Sequence, residues 1–152
     1  MCIRDRPQTN PEDCSKLLAS LNDQNPVCNL VFQIEKDQVN DKNIVKAVIA
    51  SNDEILFFSR SPVPHNANEY YRQLGLIAFT AEILDEYTSL APTSLEVVES
   101  IDMMRFLENK VSITAVFSST NIIGVDLAEH ISLAEKQFEN DKFIELYKAK
   151  YA

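Results

Sequence analysis

The sequence predicts an α/β domain built on a mixed sheet, and three observations predict it. Short segments rich in β-branched and aromatic residues (27–34, 44–50, 55–59, 111–117) recur along the chain. Segments of helical periodicity (11–21, 81–87, 94–108) fall between them rather than apart from them, the mark of that class. No repeat, low-complexity tract or Gly/Ser linker interrupts the 152 residues, so one continuous unit is expected.

Each element has its own reason. Asn10 is a capping side chain, Pro11 suits the first helical position, and Glu12 and Asp13 oppose the helix dipole. Leu17, Leu18 and Leu21 give that helix an apolar face, which should end near Asn25-Pro26. Residues 27–34 form the first strand. Residues 44–50 (IVKAVIA) and 55–59 form a hairpin across the turn chemistry of Ser51, Asn52, Asp53 and Glu54. Pro62 and Pro64 impose an extended loop. Residues 74–79 are a short apolar strand and 81–87 a short helix. Residues 94–108 read as the clearest helix, capped by Thr93 or Ser94, with Leu95, Val98, Ile101 and Phe106 broadly on one side. Two strands (111–117 and 121–125), a helix over 127–137 and a last short helix over 141–150 complete the chain.

Composition removes several function classes. Fourteen basic against 23 acidic residues give a net charge of −9, and no basic run is present, so nucleic acid is not an expected partner. No apolar run approaches the ~20 residues of a membrane helix. Two glycines in the whole chain leave no Gly-rich phosphate loop. Three cysteines without CxxC spacing (Cys2, Cys14, Cys28) argue against a disulfide framework and a zinc site. Residues 1–6 show no apolar stretch of the kind a signal peptide carries, and a reducing cytoplasm is the expected compartment.

Four segments then match one family in order and spacing: 41–48 (DKNIVKAV), 57–64 (FFSRSPVP), 95–108 (LEVVESIDMMRFLE) and 124–129 (GVDLAE). Together they resemble the C-terminal part of 3-deoxy-manno-octulosonate cytidylyltransferase, also called CMP-Kdo synthetase, over residues 7 to about 135. The resemblance implies a mixed-sheet nucleotidyltransferase (GT-A-like) fold, N-terminally truncated, with Pro7 at the end of the family's Gly-Asp-Glu-Pro motif. Residues 1–6 (MCIRDR) resemble a translated sequencing adapter and are expected to be foreign to the fold. The implied reaction joins CTP and Kdo to give CMP-Kdo and diphosphate, with Mg²⁺ as cofactor, in lipopolysaccharide synthesis. Half of the nucleotide site would be missing, so these residues alone are expected to be inactive. A cytoplasmic homodimer is implied, with the apolar strand around 111–117 as a possible interface.

The resemblance places candidate residues, and residue chemistry keeps an alternative beside each. Asp126 stands at a metal-binding aspartate, because Mg²⁺ takes carboxylate oxygens; it equally suits a helix N-cap. Arg60, in a loop held open by two prolines, pairs with a sugar carboxylate or phosphate, or sits in a surface ion pair. Lys46 lines the site or lies on a solvent face. Asp102 accepts from sugar hydroxyls or belongs to a solvated helix face. Glu99 and Arg105 are read as braces of the long helix, and Met103 and Met104 as packing residues. His65 and His130 are expected at the surface, and Cys28 as a small buried strand residue.

Several positions depart from the family's pattern. Ala67 stands where the family has an arginine, Gln73 (itself a candidate substrate-binding residue) where it has a histidine, Ile77 where it has a tyrosine, Met103 where it has a glutamine and Asp102 where it has a glutamate. The metal end of the site is thus retained and the sugar end altered. Two alternatives follow: a nucleotidyltransferase for a different or modified acid sugar, or a catalytically dead sugar-binding domain.

Overall fold

The computed structural model describes residues 9–122, 124–125, 128–139, 141 and 143. Residues 12–119 form one compact unit, and residues 1–11 with 120–152 form another.

The larger unit is organised on a five-stranded mixed sheet. In chain order its strands are β1 (Val27–Ile34), β2 (Lys46–Ile49), β3 (Ile55–Ser59), β4 (Tyr70–Phe79) and β5 (Thr114–Phe117). They lie side by side as β3-β2-β4-β1-β5. β1 runs antiparallel to β4 and parallel to β5, so the sheet is mixed, as the alternation of segments predicts. β1 lies between two neighbours, and its first five residues are all buried, which explains its unbroken apolar run. The outer strands β3 and β5 also meet at one end. Ile55 N–H donates to the Ile113 carbonyl and Ala115 N–H to the Asp53 carbonyl, both at 2.8 Å. That pairing removes part of each exposed edge.

Two irregularities set which side chains face inward. Between β2 and β3, Val48 pairs with Phe57 and Ile49 with Ile55, leaving Leu56 as an extra residue. The bulge turns Leu56 to solvent and lets Ile55 and Phe58 both point inward, although three apart on a strand. Between β1 and β4, Asn29 pairs with Ile77 and Val31 with Gln73, so residues 74–76 bulge from β4 around Gly75. This accounts for β4 starting at Tyr70 where the sequence suggests 74: the bulge breaks the period-2 alternation that marks a strand.

The helices are α1 (Pro11–Ser20), α2 (Ala81–Ser89), α3 (Ser94–Glu99), α4 (Met104–Glu108) and α5 (Ala128–Phe138). α1 ends earlier than expected because the Asn22 side chain accepts from the backbone N–H groups of Gln24 (2.9 Å) and Asn25 (3.1 Å), a local turn that competes with helix. Asp13 of α1 is buried and accepts from Ser118 Oγ at 2.6 Å. Thr80 caps α2 through its bond with Ile83 N–H.

The expected long helix over 94–108 is two helices. Ser100 adopts a left-handed backbone (φ 55°, ψ 49°) and stops α3. No Gly or Pro announces the break. Its reason lies in packing, because Ile101, Met103, Met104 and Phe106 are all buried. At 100° per residue those four positions spread around a straight helix and cannot share one face. Leu95 and Val98, expected on the apolar face, are exposed instead. The core gathers Val27, Val31, Phe58, Ile83, Met104 and Ile113, with Phe106 stacked on Tyr87 at 4.7 Å. Met103 and Met104 are core residues, as read from the sequence.

In the smaller unit, α5 matches the expected helix over 127–137 within a residue at each end. Among the described residues of 121–125 no named strand forms; Val125 makes a lone bridge. The expected helix over 141–150 and Asp126 lie outside the described residues.

α4 ends in a two-bond C-terminal motif: Val111 N–H donates to Phe106 C=O (2.9 Å) and Lys110 N–H to Leu107 C=O (3.1 Å). Lys110, at φ 64°, occupies the left-handed position that glycine takes without steric cost. Lys110→Gly is therefore expected to stabilise the protein by about 0.5–1 kcal/mol in thermal or urea unfolding, since Lys110 is exposed and only its backbone is constrained.

Candidate functional site

The end of β3 lies beside the start of β2, with Lys46 paired to Ser59, and the chemistry-bearing groups of the larger unit gather there. Arg60, the residue after β3, is held at both backbone polar groups and along its side chain. Its N–H donates to Glu99 Oε2 at 3.0 Å. Its C=O accepts from Lys46 Nζ at 2.6 Å. Its guanidinium donates to three carbonyls: Nε to Glu99 (3.1 Å), Nη1 to Lys42 (3.0 Å) and Nη2 to Ser100 (3.3 Å). Among the described residues, two of the five guanidinium N–H groups meet no acceptor and no carboxylate forms an ion pair with it. Among the described residues, the surface ion pair considered for Arg60 does not form. Carbonyl dipoles orient this cation and leave its charge uncompensated, the state in which a planar fork receives a carboxylate or phosphate.

Lys46 corrects an expectation. It is fully buried, not on a solvent face. Its ammonium donates to the carbonyls of Asp41 (2.9 Å), Ile44 (2.6 Å) and Arg60 (2.6 Å). An ammonium has three N–H groups, so none remains for a substrate, and Lys46 acts within the fold. Burial pushes its pKa below the ordinary lysine value; Asp41 and Glu99 oppose that shift and Arg60 adds to it. Sequence alone could not find this role, because lysine on a strand normally turns outward.

Gln73 takes part in the bulge of β4. Its Nε2 donates to Asn29 Oδ1 at 2.7 Å, and the buried Asn29 donates to the carbonyls of Leu30 and Leu74, both at 2.9 Å. Gln73 follows Arg72, the partner of Lys46, so its side chain leaves the sheet on the opposite side from Lys46. Asp102 is exposed in the turn between α3 and α4, two residues past the Ser100 carbonyl that holds Arg60. Arg60 and Lys46 are therefore neighbours in the fold, Gln73 stands on an adjoining strand, and the charge of Asp102 acts on Tyr87 and Arg105. Among the departures, Met103 is core, Ile77 packs against the core, and Ala67 lines a cleft of about 330 Å³ with Lys36, His65 and Tyr70.

The α3–α4 break is braced from its other side. Arg105 forms a two-pronged pair with Glu96, Nε to Oε2 at 2.7 Å and Nη2 to Oε1. Its guanidinium lies 4.5 Å from the centre of the Tyr87 ring and donates to the Leu90 carbonyl. The hydrogen bonds from Arg105 hold the Glu96 carboxyl below the usual carboxylate range, against the opposing effect of burial. Glu108 accepts from the N–H groups of Leu95 (2.9 Å) and Glu96 (3.4 Å) at the start of α3. Arg105 is a brace, as expected. Glu99 does more: besides the Arg60 N–H, its carboxylate receives Ser59 Oγ at 3.1 and 3.2 Å.

Comparison with known proteins identifies the family and the fold. A family model described as cytidylyltransferase matches residues 1–113. The chain belongs to the cytidylyltransferase family. Among curated relatives, 3-deoxy-manno-octulosonate cytidylyltransferase of Chlorobium limicola is 38% identical over 141 residues, covering 90% of this chain and 53% of that protein. The enzyme of the same name from Rickettsia bellii is 32% identical over 141 residues, covering 92% and 58%. A solved structure of CMP:2-keto-3-deoxy-manno-octonic acid synthetase complexed with CTP superposes with a TM-score of 0.83 at 25% identity, covering 90% of this chain and 59% of that one. The chain thus spans somewhat over half the length of the relatives it matches, and the α/β fold of this cytidylyltransferase-family chain is the one the sequence predicts.

Two outcomes test the site's construction. Lys46→Met leaves three carbonyls without their donor and is expected to cost roughly 2–4 kcal/mol in urea unfolding. Because the folded-state pKa of Glu96 is depressed, its contribution is present above the ordinary carboxylate range and lost as pH falls through the lowered value. The stability gap between wild type and Glu96→Gln should be widest at neutral pH and narrow progressively below about pH 4.3, followed by unfolding at a series of pH values.

Proposed function

We propose that the protein carrying this chain transfers the cytidylyl group of CTP to 3-deoxy-manno-octulosonate, giving CMP-Kdo and diphosphate for lipopolysaccharide synthesis. The anomeric hydroxyl oxygen forms a bond to the α-phosphorus, the bond from that phosphorus to the leaving diphosphate breaks, and the hydroxyl proton leaves the sugar. Such a transfer depends chiefly on holding an acid sugar and a triphosphate in line and on meeting their negative charge.

The observation that carries the reading is Arg60: a guanidinium clamped by three carbonyls, with two N–H groups and its charge to spare. In a chain of net charge −9, that is a cation set aside for an anion, and the sugar carboxylate matches its geometry. Asp102, exposed in the turn two residues past Ser100, suits sugar hydroxyls, because a carboxylate accepts from two at once. The relatives' names and the CTP-bound structural neighbour support the same substrates.

The proposal includes Mg²⁺, held through Asp126, to neutralise triphosphate charge. Asp126 is the ligand the family resemblance implies, and it lies outside the described residues, among which no group of three or more His, Cys, Asp or Glu is placed to hold a metal. It also includes a homodimer and a cytoplasmic location; among the described residues no helix is long and apolar enough to cross a membrane.

The test is diphosphate release from CTP by the protein in full. Release should require both the 2-keto-3-deoxy sugar acid and a divalent cation; release without the sugar, or none with it, rejects the reading. Arg60→Ala should raise the KM for the acid sugar about 10- to 100-fold while the KM for CTP stays near wild type.

A further inference from the structure

We infer that Glu99 is the positioning residue for Arg60, fixing the approach of the acid sugar without touching it; the inference rests on the reading of Arg60 given above. Glu99 contacts Arg60 at two points by two different groups. Its carboxylate receives the Arg60 backbone N–H at 3.0 Å, and its main-chain carbonyl receives the Arg60 Nε–H at 3.1 Å. The same carboxylate also binds Ser59 Oγ through both oxygens, and Ser59 Oγ in turn accepts the N–H of Ser61 at 2.9 Å. One side chain therefore orders three consecutive residues at the exit of β3, two of them directly and the third through Ser59.

The opposite side of the strand end is closed by Lys46, whose ammonium holds the Arg60 carbonyl. The left-handed Ser100 turns its own carbonyl onto Arg60 Nη2. Glu99 is the last residue of α3, so the carboxylate that fixes the strand and two of the three carbonyls that fix the guanidinium, those of Glu99 and Ser100, come from one helix end. Any shift of β3 relative to α3 would move the guanidinium. A bridge that prevents that shift sets the direction of the two spare N–H groups before substrate arrives, and a fork aimed in advance binds without first losing side-chain freedom. The carboxylate is not an ion-pair partner of the guanidinium, which separates positioning from charge compensation.

Three variants of the full protein decide it. Glu99→Ala removes the bridge and should raise the KM for the acid sugar about 10-fold, leaving the KM for CTP within about twofold. Glu99→Gln keeps the length, accepts the Arg60 N–H with its oxygen and donates to Ser59 Oγ with its nitrogen, so it should recover the acid-sugar KM to within about threefold of wild type. In ¹⁵N spectra the Arg60 Nε–H should exchange slowly in wild type and Glu99→Gln and rapidly in Glu99→Ala. Equal impairment of Gln and Ala would show that Glu99 acts by charge and would overturn the inference. Loss of stability with both KM values unchanged, or slow Nε–H exchange in Glu99→Ala, would overturn it too. Arg60→Ala is the control: an unchanged acid-sugar KM there removes the reading of Arg60 itself, whereas a raised one beside an unaffected Glu99→Ala removes only the role of Glu99.

Discussion

A fully buried ammonium is the constraint on which the rest of the site depends. Lys46 has no solvent to hydrate it and, among the described residues, forms no ion pair; it is held by three main-chain carbonyls, those of Asp41, Ile44 and Arg60. A buried charge is costly unless all its donors are matched, so the loop before β2 and the residue after β3 have little freedom to move away. The lowered pKa of Lys46 is the expected signature of that environment. Because one of the three carbonyls is that of Arg60, the group that stabilises the loop also places the residue best suited to meet an anion.

The sheet supplies the other half of the placement. The bulge between β2 and β3 reorients the outer strand so that Phe58 enters the core while Ser59 meets Glu99 on α3. The bulge in β4 is satisfied by the buried amide of Asn29, with Gln73 completing it. Polar groups at these irregularities find partners inside the fold, which keeps the irregularities in one place. The break at Ser100 belongs to the same logic: four buried residues in six demand a change of helix direction, and that change brings the Ser100 carbonyl to Arg60.

Strands that carry their own local signal were legible without coordinates. β1 and β3 coincide with the segments read from composition, and α2 and α5 with the helical ones, because β-branched runs and capped amphipathic stretches declare themselves over a few residues. β4 and the α3–α4 pair were not, since a bulge and a left-handed serine are imposed from outside the segment that contains them. In the site, Arg60 was visible through the two prolines that follow it and through family likeness. Glu99, Asn29 and Ser59 were not, because nothing local distinguishes a surface acid from one that bridges a helix to a strand.

By itself, then, the amino-acid order determined an α/β domain with a mixed sheet and, through four ordered segments, a resemblance to one nucleotidyltransferase family. The first depends on composition and local periodicity, which act between near neighbours, and the second on likeness to known sequences. Tertiary structure alone decided that Lys46 is buried, that the long helix is two, and that the Arg60 guanidinium is held by carbonyls 18 and about 40 residues away along the chain. Those outcomes depend on which distant groups can satisfy a buried charge or fill a core, and only the folded chain brings such groups together.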